Sequence, residues 1–150
     1  ANGAGKTTLI QALAGLTRPY AGEVRREGAL ALLAERTGLD PDLPLAKALA
    51  FWFALDNAAE PQAIMARLRI AGLADVPVRY LSTGQQKRAA LARVLGQAAP
   101  VWLLDEPLSG LDTASQDLVS ALVREHCAGG GIALIAPHQP LDVPGMTSFA

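Results

Sequence analysis

Apolar residues along this chain fall into runs of two kinds, and each kind predicts a different element. Lys6 to Ala14 (KTTLIQALA) has helical spacing, and Gly15 is placed to end it. Ala46 to Ala74 is also helical in pattern, interrupted at Asn57 to Pro61. Its second half, PQAIMARLRIAGLADV, puts Pro61 at a first helical position and Gly72 near the end. In LSTGQQKRAALARVLGQ, Ala90, Leu91, Val94 and Leu95 recur at the spacing of one helix face. Ala114 to Cys127 predicts a further helix, stopped by Gly129-Gly130-Gly131. The second kind of run is short and apolar throughout. Ala29 to Ala34, Val101 to Leu104 and Ile132 to Ala136 read as strands buried on both faces. Gly22 to Gly28 (GEVRREG) reads as a short polar strand or hairpin arm, and Asp40-Pro41 with Leu43-Pro44 marks a loop.

Strand, helix, strand over the last third implies a right-handed crossover between parallel strands, hence an α/β fold with a mostly parallel sheet core. The helices of 46 to 96 then form a helical subdomain inserted into that sheet. The 150 residues fit a single domain large enough to bury a core.

Composition changes this picture little. Half of the chain is apolar (51%) and the formal net charge is −1, which gives no electrostatic case for a nucleic-acid partner. Cys127 is the only cysteine, so no intrachain disulfide can form. The longest apolar run, Ala48 to Leu55, is far short of the ~18 residues that span a bilayer. Work at a membrane would need a membrane partner.

The candidate chemistry begins at the first residues, ANGAGKTT. A phosphate-binding loop reads G-x-x-x-x-G-K-[ST], and Gly5, Lys6 and Thr7 supply its end, while its first glycine would precede Ala1. Backbone N–H groups in such a turn converge on phosphate oxygens, and the following helix adds its positive end. Lys6 adds a point charge, and the Thr7 hydroxyl is suited to Mg²⁺. A chance glycine-rich helix start is the bland alternative. VWLLDEP places Asp105 and Glu106 at the carboxyl end of an apolar strand, where open α/β sheets bind ligands. Asp105 would hold Mg²⁺ and Glu106 would activate a water; otherwise both are solvated loop acids. Ser82 and Gly84 in LSTGQQ open a helix, a second N-terminus suited to an anion or simply a good cap. Asp112 fits an N-cap, and His138 after a strand is as readily structural as functional.

The order of these features carries more than any one of them. Lys6, Ser82, Asp105-Glu106, Asp112 and His138 follow one another as in the ATP-binding cassette (ABC) family, which the chain resembles over nearly its whole length. The resemblance implies a P-loop NTPase fold and a head-to-tail dimer of two copies, with ATP and Mg²⁺ between them. Asn2, Gly3, Ala4, Gly5, Lys6, Thr7 and Thr8 would bind phosphates in cis. Ser82, Gly84 and Gln85 would reach the γ-phosphate of the opposite site. Glu106 would be the catalytic carboxylate, His138 the switch histidine, and Asp112 a coupler between sites. LSTGQQKRAALARV, WLLDEPLSGLD and HQPL further resemble the ATP-binding subunits of cytochrome c maturation, the heme exporter type. That implies a permease partner and a peripheral position on the cytoplasmic face of the bacterial inner membrane. Phe51, Trp52 and Phe53 are candidates for docking there, against the alternative that two of the three pack in the insertion.

Three positions depart from the family pattern. Glu35 stands where a glutamine usually follows the strand, and is a candidate Mg²⁺ neighbour; Thr83 replaces a glycine; Pro137 stands where Thr or Ser is common. By the same resemblance the chain reads as a partial cassette without its first strands. No C-x-x-C-H is present, so direct heme binding is not expected. Competing readings are an ATPase of another ABC transporter, a cassette acting on DNA or ribosomes, and a degenerate module without hydrolysis. The segment between Lys6 and Ser82 leaves no room for the long coiled coils of DNA-repair cassettes.

Overall fold

A computed structural model of the chain describes residues 5–137 and 145–147. Its centre is a three-stranded parallel sheet in the order β1 (Leu30–Leu33), β2 (Val101–Asp105), β3 (Ile132–Ala136). Leu33 pairs with Leu104, and Leu104 in turn with Ile135. Strand alternation sends Leu103 and Ala136 to one face, where they pack with Ile10 of α1 (Lys6–Ala14). Ala31, Leu33, Trp102 and Leu104 face the other way, into the larger core formed with α2 (Leu45–Leu55), α3 (Pro61–Arg67), α4 (Thr83–Gly96) and α5 (Thr113–Ala128). Helices pack on both faces, most fully over β2, which is why the strands carry no polar alternation.

Helix ends follow the local chemistry of the sequence. Gly15 ends α1 in the left-handed region at φ 82°. Ser82 caps α4 in a reciprocal box with Gln85: Ser82 N–H donates to Gln85 Oε1 at 2.8 Å, and Gln85 N–H donates to Ser82 Oγ at 3.3 Å. α5 follows β2 and returns the chain to β3, as the strand–helix–strand reading expects. The helical stretch after Pro61 is shorter than its pattern suggests. α3 stops at Arg67, Arg69 turns left-handed at φ 54°, and Ala71–Leu73 is a single 3₁₀ turn.

One expected element is absent among the described residues. Gly22 to Gly28 forms no strand. A polar arm needs a neighbour to pair with, and here Arg26 holds the segment another way. Its guanidinium donates to the carbonyls of Leu13 (2.7 Å) and Ala12 (2.9 Å) at the C-terminal end of α1, where free carbonyls favour a cation.

α2 packs against α4 through aromatics. Phe53 is buried, and Trp52 is half-buried with the Arg93 guanidinium 3.5 Å over its ring. Phe51 remains exposed. A Cβ added to Gly96 would lie 2.8 Å from Phe53 Cδ1. Gly96→Ala therefore destabilises by about 1–2 kcal/mol in urea unfolding, since overpacking outweighs the helix-propensity gain of about 1 kcal/mol.

Candidate functional site

The N-terminus of α1 meets the carboxyl ends of β2 and β3. Gly5 adopts φ 76°, a conformation that a side chain resists, and its carbonyl opens α1 by accepting from Leu9 N–H at 2.8 Å. Lys6 Nζ donates to the carbonyl of Pro137, just past β3, at 2.9 Å. Thr7 Oγ1 donates to Asp105 Oδ1 at 3.1 Å. Asp105 is buried, 7% exposed, at the end of β2. Thr7 and Asp105 thus present two hard oxygen donors side by side, a set that suits a small divalent cation completed by phosphate oxygens. Among the described residues no three His, Cys, Asp or Glu side chains converge as a closed metal cage.

Glu106 follows directly and is exposed, with its backbone left-handed at φ 46°. Its N–H donates to the Ala136 carbonyl at 2.9 Å, which extends the β2–β3 ladder by one bond. A cleft of about 340 Å³ is lined by Thr7, Glu35, Asp105 and Glu106 on one side. Thr83, Gln86, Lys87 and Ala90 line the other. Those four are spaced as one face of α4. Lys87 Nζ donates to the Glu106 carbonyl at 3.1 Å. Burial pulls the Lys87 ammonium below the usual lysine value, against the opposing pull of the Glu106, Asp105 and Glu35 carboxylates.

Ser82, Gly84 and Gln85 are not part of that lining. They sit at the start of α4, beside the loop that follows Glu106. A Cβ on Gly84 would come 3.2 Å from the Gly110 carbonyl, and one on Gly110 (φ 75°) would come 2.9 Å from Thr83 Cγ2. The threonine at 83 therefore sits against a glycine. Asp112 caps α5, accepting from Ser115 N–H at 2.8 Å. Hydrogen bonds from the Ser115 side chain and backbone hold its carboxyl below the usual aspartate value. Thr8 is exposed in the first turn of α1. Asn2, Gly3, Ala4 and His138 lie outside the described residues.

A helix N-terminus meeting strand-end acids is common to many nucleotide-binding folds, and comparison with known proteins narrows it. The family model described as ABC transporter matches residues 1–109. The chain belongs to the ABC transporter family. It is an ATPase subunit of that family. Over all of its length it is 53% identical to a protein of Novosphingobium aromaticivorans named cytochrome c biogenesis ATP-binding export protein CcmA, covering 77% of that relative. A Sphingopyxis alaskensis protein of the same name is 47% identical over 97% of the chain, with 76% of the relative covered. Among solved structures, a dimeric ATP-binding cassette in a post-hydrolysis state, bound to ADP and Pi, superposes with a TM-score of 0.83. It is 19% identical and covers 93% of this chain and 72% of its own, a likeness of fold alone. The RNase-L inhibitor superposes with a TM-score of 0.77 at 29% identity, over 91% of this chain and 27% of its own.

Sequence reasoning had named the acidic side of this ABC cleft and missed its basic one. Lys87 stands inside LSTGQQKR, and its spacing of four from Thr83 was a readable signal that both share a helix face. What that face looks at was not readable.

Proposed function

We propose that this chain is the ATP-binding and hydrolysing subunit of an ABC transporter complex serving c-type cytochrome biogenesis. Heme handling is the step it would drive. The observation that carries the site reading is the pairing of Thr7 with Asp105, 98 residues apart in sequence, with Lys6 on the carbonyl after β3. The names of the relatives at 53% and 47% identity support the biological role.

In this reading Gly5 to Thr8, with Asn2 to Ala4 before them, cradle the phosphates by backbone N–H groups, and Lys6 bears on the β- and γ-phosphates. Thr7 and Asp105 would hold Mg²⁺, with Glu35 beside them, and the bound ion would neutralise phosphate charge. Glu106 orients a water and accepts its proton as the oxygen attacks the γ-phosphorus. The bond from that phosphorus to the β-bridging oxygen breaks, and ADP and phosphate leave. His138 would stand on the γ-phosphate. A second copy would bring Ser82, Gly84 and Gln85 to the same nucleotide, and their absence from the cis cleft favours this. Asp112 would couple the two sites. The 150 residues act as one ABC ATPase domain, with the helical subdomain of about 46 to 96 docking on a permease at the cytoplasmic face of the bacterial inner membrane. No helix among the described residues is long and apolar enough to cross a membrane itself.

Analytical ultracentrifugation of the Glu106→Gln protein tests the sandwich. Mg-ATP should convert monomer to dimer, and Lys6→Ala should abolish the conversion. A protein that stays monomeric with Mg-ATP, even with its permease supplied, overturns the ATPase dimer in favour of a degenerate module. Restoration of holocytochrome c in cells lacking the gene, by wild type but not by Lys6→Ala, tests the cargo pathway.

A further inference from the structure

We propose that Lys87 is a positioning residue for hydrolysis: from the helix that begins at Ser82, it holds the backbone of Glu106 in the left-handed conformation that aims its carboxylate. The inference rests on the reading of Glu106 as the catalytic carboxylate.

Three observations carry it. Glu106 has φ 46°, a region that a residue with a side chain occupies only when its surroundings impose it. Its peptide groups are pinned at both ends. The N–H is bound to the Ala136 carbonyl, and the C=O accepts from Ser109 N–H at 3.2 Å and from Lys87 Nζ at 3.1 Å. Lys87 is the only side chain that bonds this backbone among the described residues. Moreover, the ammonium sits on the carbonyl, while the Glu106 carboxylate forms no ion pair or side-chain hydrogen bond among the described residues. Lys87 thus fixes the peptide without pairing with the carboxylate, which leaves the oxygens of that group open to water.

The position of Lys87 on α4 adds a consequence. Thr83 and Lys87 are one helical turn apart, and α4 opens with the Ser82–Gln85 capping box. The helix whose capped end is proposed to face a second copy's nucleotide is therefore the same helix that bonds the Glu106 peptide of its own subunit. Lysine is well suited to the task, since its long stem reaches from the helix to the loop and any of its three donors serves.

The test is a double-mutant cycle read by single-turnover ATP hydrolysis on the complete protein with its membrane partner. Lys87→Met should lower the hydrolysis rate about 10- to 100-fold, the penalty of a displaced catalytic group. ATP affinity and melting temperature should stay near wild type. Lys87→Arg, which keeps a long donor, should recover most of the rate. In the Glu106→Gln background Lys87→Met should add nothing, because the group it positions is gone. If Glu106→Gln alone retains wild-type turnover, the reading of Glu106 fails and the proposal with it. If Glu106→Gln is inactive but Lys87→Met is not, only the role of Lys87 is overturned. Equal losses from Lys87→Met in both backgrounds, or loss of ATP affinity and of melting temperature together, would assign Lys87 a merely structural role and overturn the proposal too.

Discussion

Glu106→Gln should lower ATP turnover by about 10²- to 10⁴-fold while ATP binding is kept. The range is that of removing a positioned general base. The reason lies in the local geometry. Glu106 is exposed at the end of the sheet, next to Asp105, and lines the same cleft as Thr7. The amide has nearly the same shape as the carboxylate, and the backbone bonds at this residue belong to its peptide groups rather than its side chain. With Glu106 as the proposed catalytic carboxylate, the substitution should remove the proton acceptor and leave the binding surface. Turnover should be measured with the permease present, and affinity with a fluorescent nucleotide. Retained turnover would move the catalytic role elsewhere; lost affinity would make Glu106 a binding group.

Leu104→Ala is expected to have the largest effect on stability. Leu104 has no exposed surface and sits in the central strand between Leu33 and Ile135. Removing a fully buried leucine costs about 2–5 kcal/mol, because neighbours on both sides cannot collapse into the space. That is a large share of the roughly 5–15 kcal/mol that holds a domain folded. Urea unfolding should show the midpoint falling by about 1–2 M with the slope unchanged. Ile132→Ala is the control. It lies in the same sheet but is 64% exposed, so its cost should stay near 0.5 kcal/mol. Similar costs at the two positions would mean that β2 is not the centre of the core.

These expectations draw on different depths of information. The strands were legible because helices pack on both sheet faces, and their residues are apolar without alternation. Helix ends were legible for a related reason. Ser82, Gly15 and Asp112 act on backbone groups within a few residues, so their chemistry is written locally. The polar arm at 22–28 failed for the opposite reason. A strand of that composition is defined by its neighbour, and what the segment meets instead is the end of α1 through Arg26. The Phe51-Trp52-Phe53 run shows the same limit. Three adjacent aromatics point in three directions around a helix, and only packing assigns Phe53 to the core and Phe51 to solvent.

By itself the sequence determined the α/β class, the order of the elements, the caps, and the residue types able to handle a nucleotide. Each of these depends on periodicity or on contacts within one or two turns. The tertiary structure alone decided which of those residues meet. Thr7 reaches Asp105, Lys6 reaches the Pro137 carbonyl, and Lys87 reaches the Glu106 backbone, across separations that no local rule encodes. Three parallel strands end at one edge of the sheet, and α4 lays one face against that edge. The meeting of a lysine with a carbonyl is then set by strand register and helix packing, which are sums over the whole core.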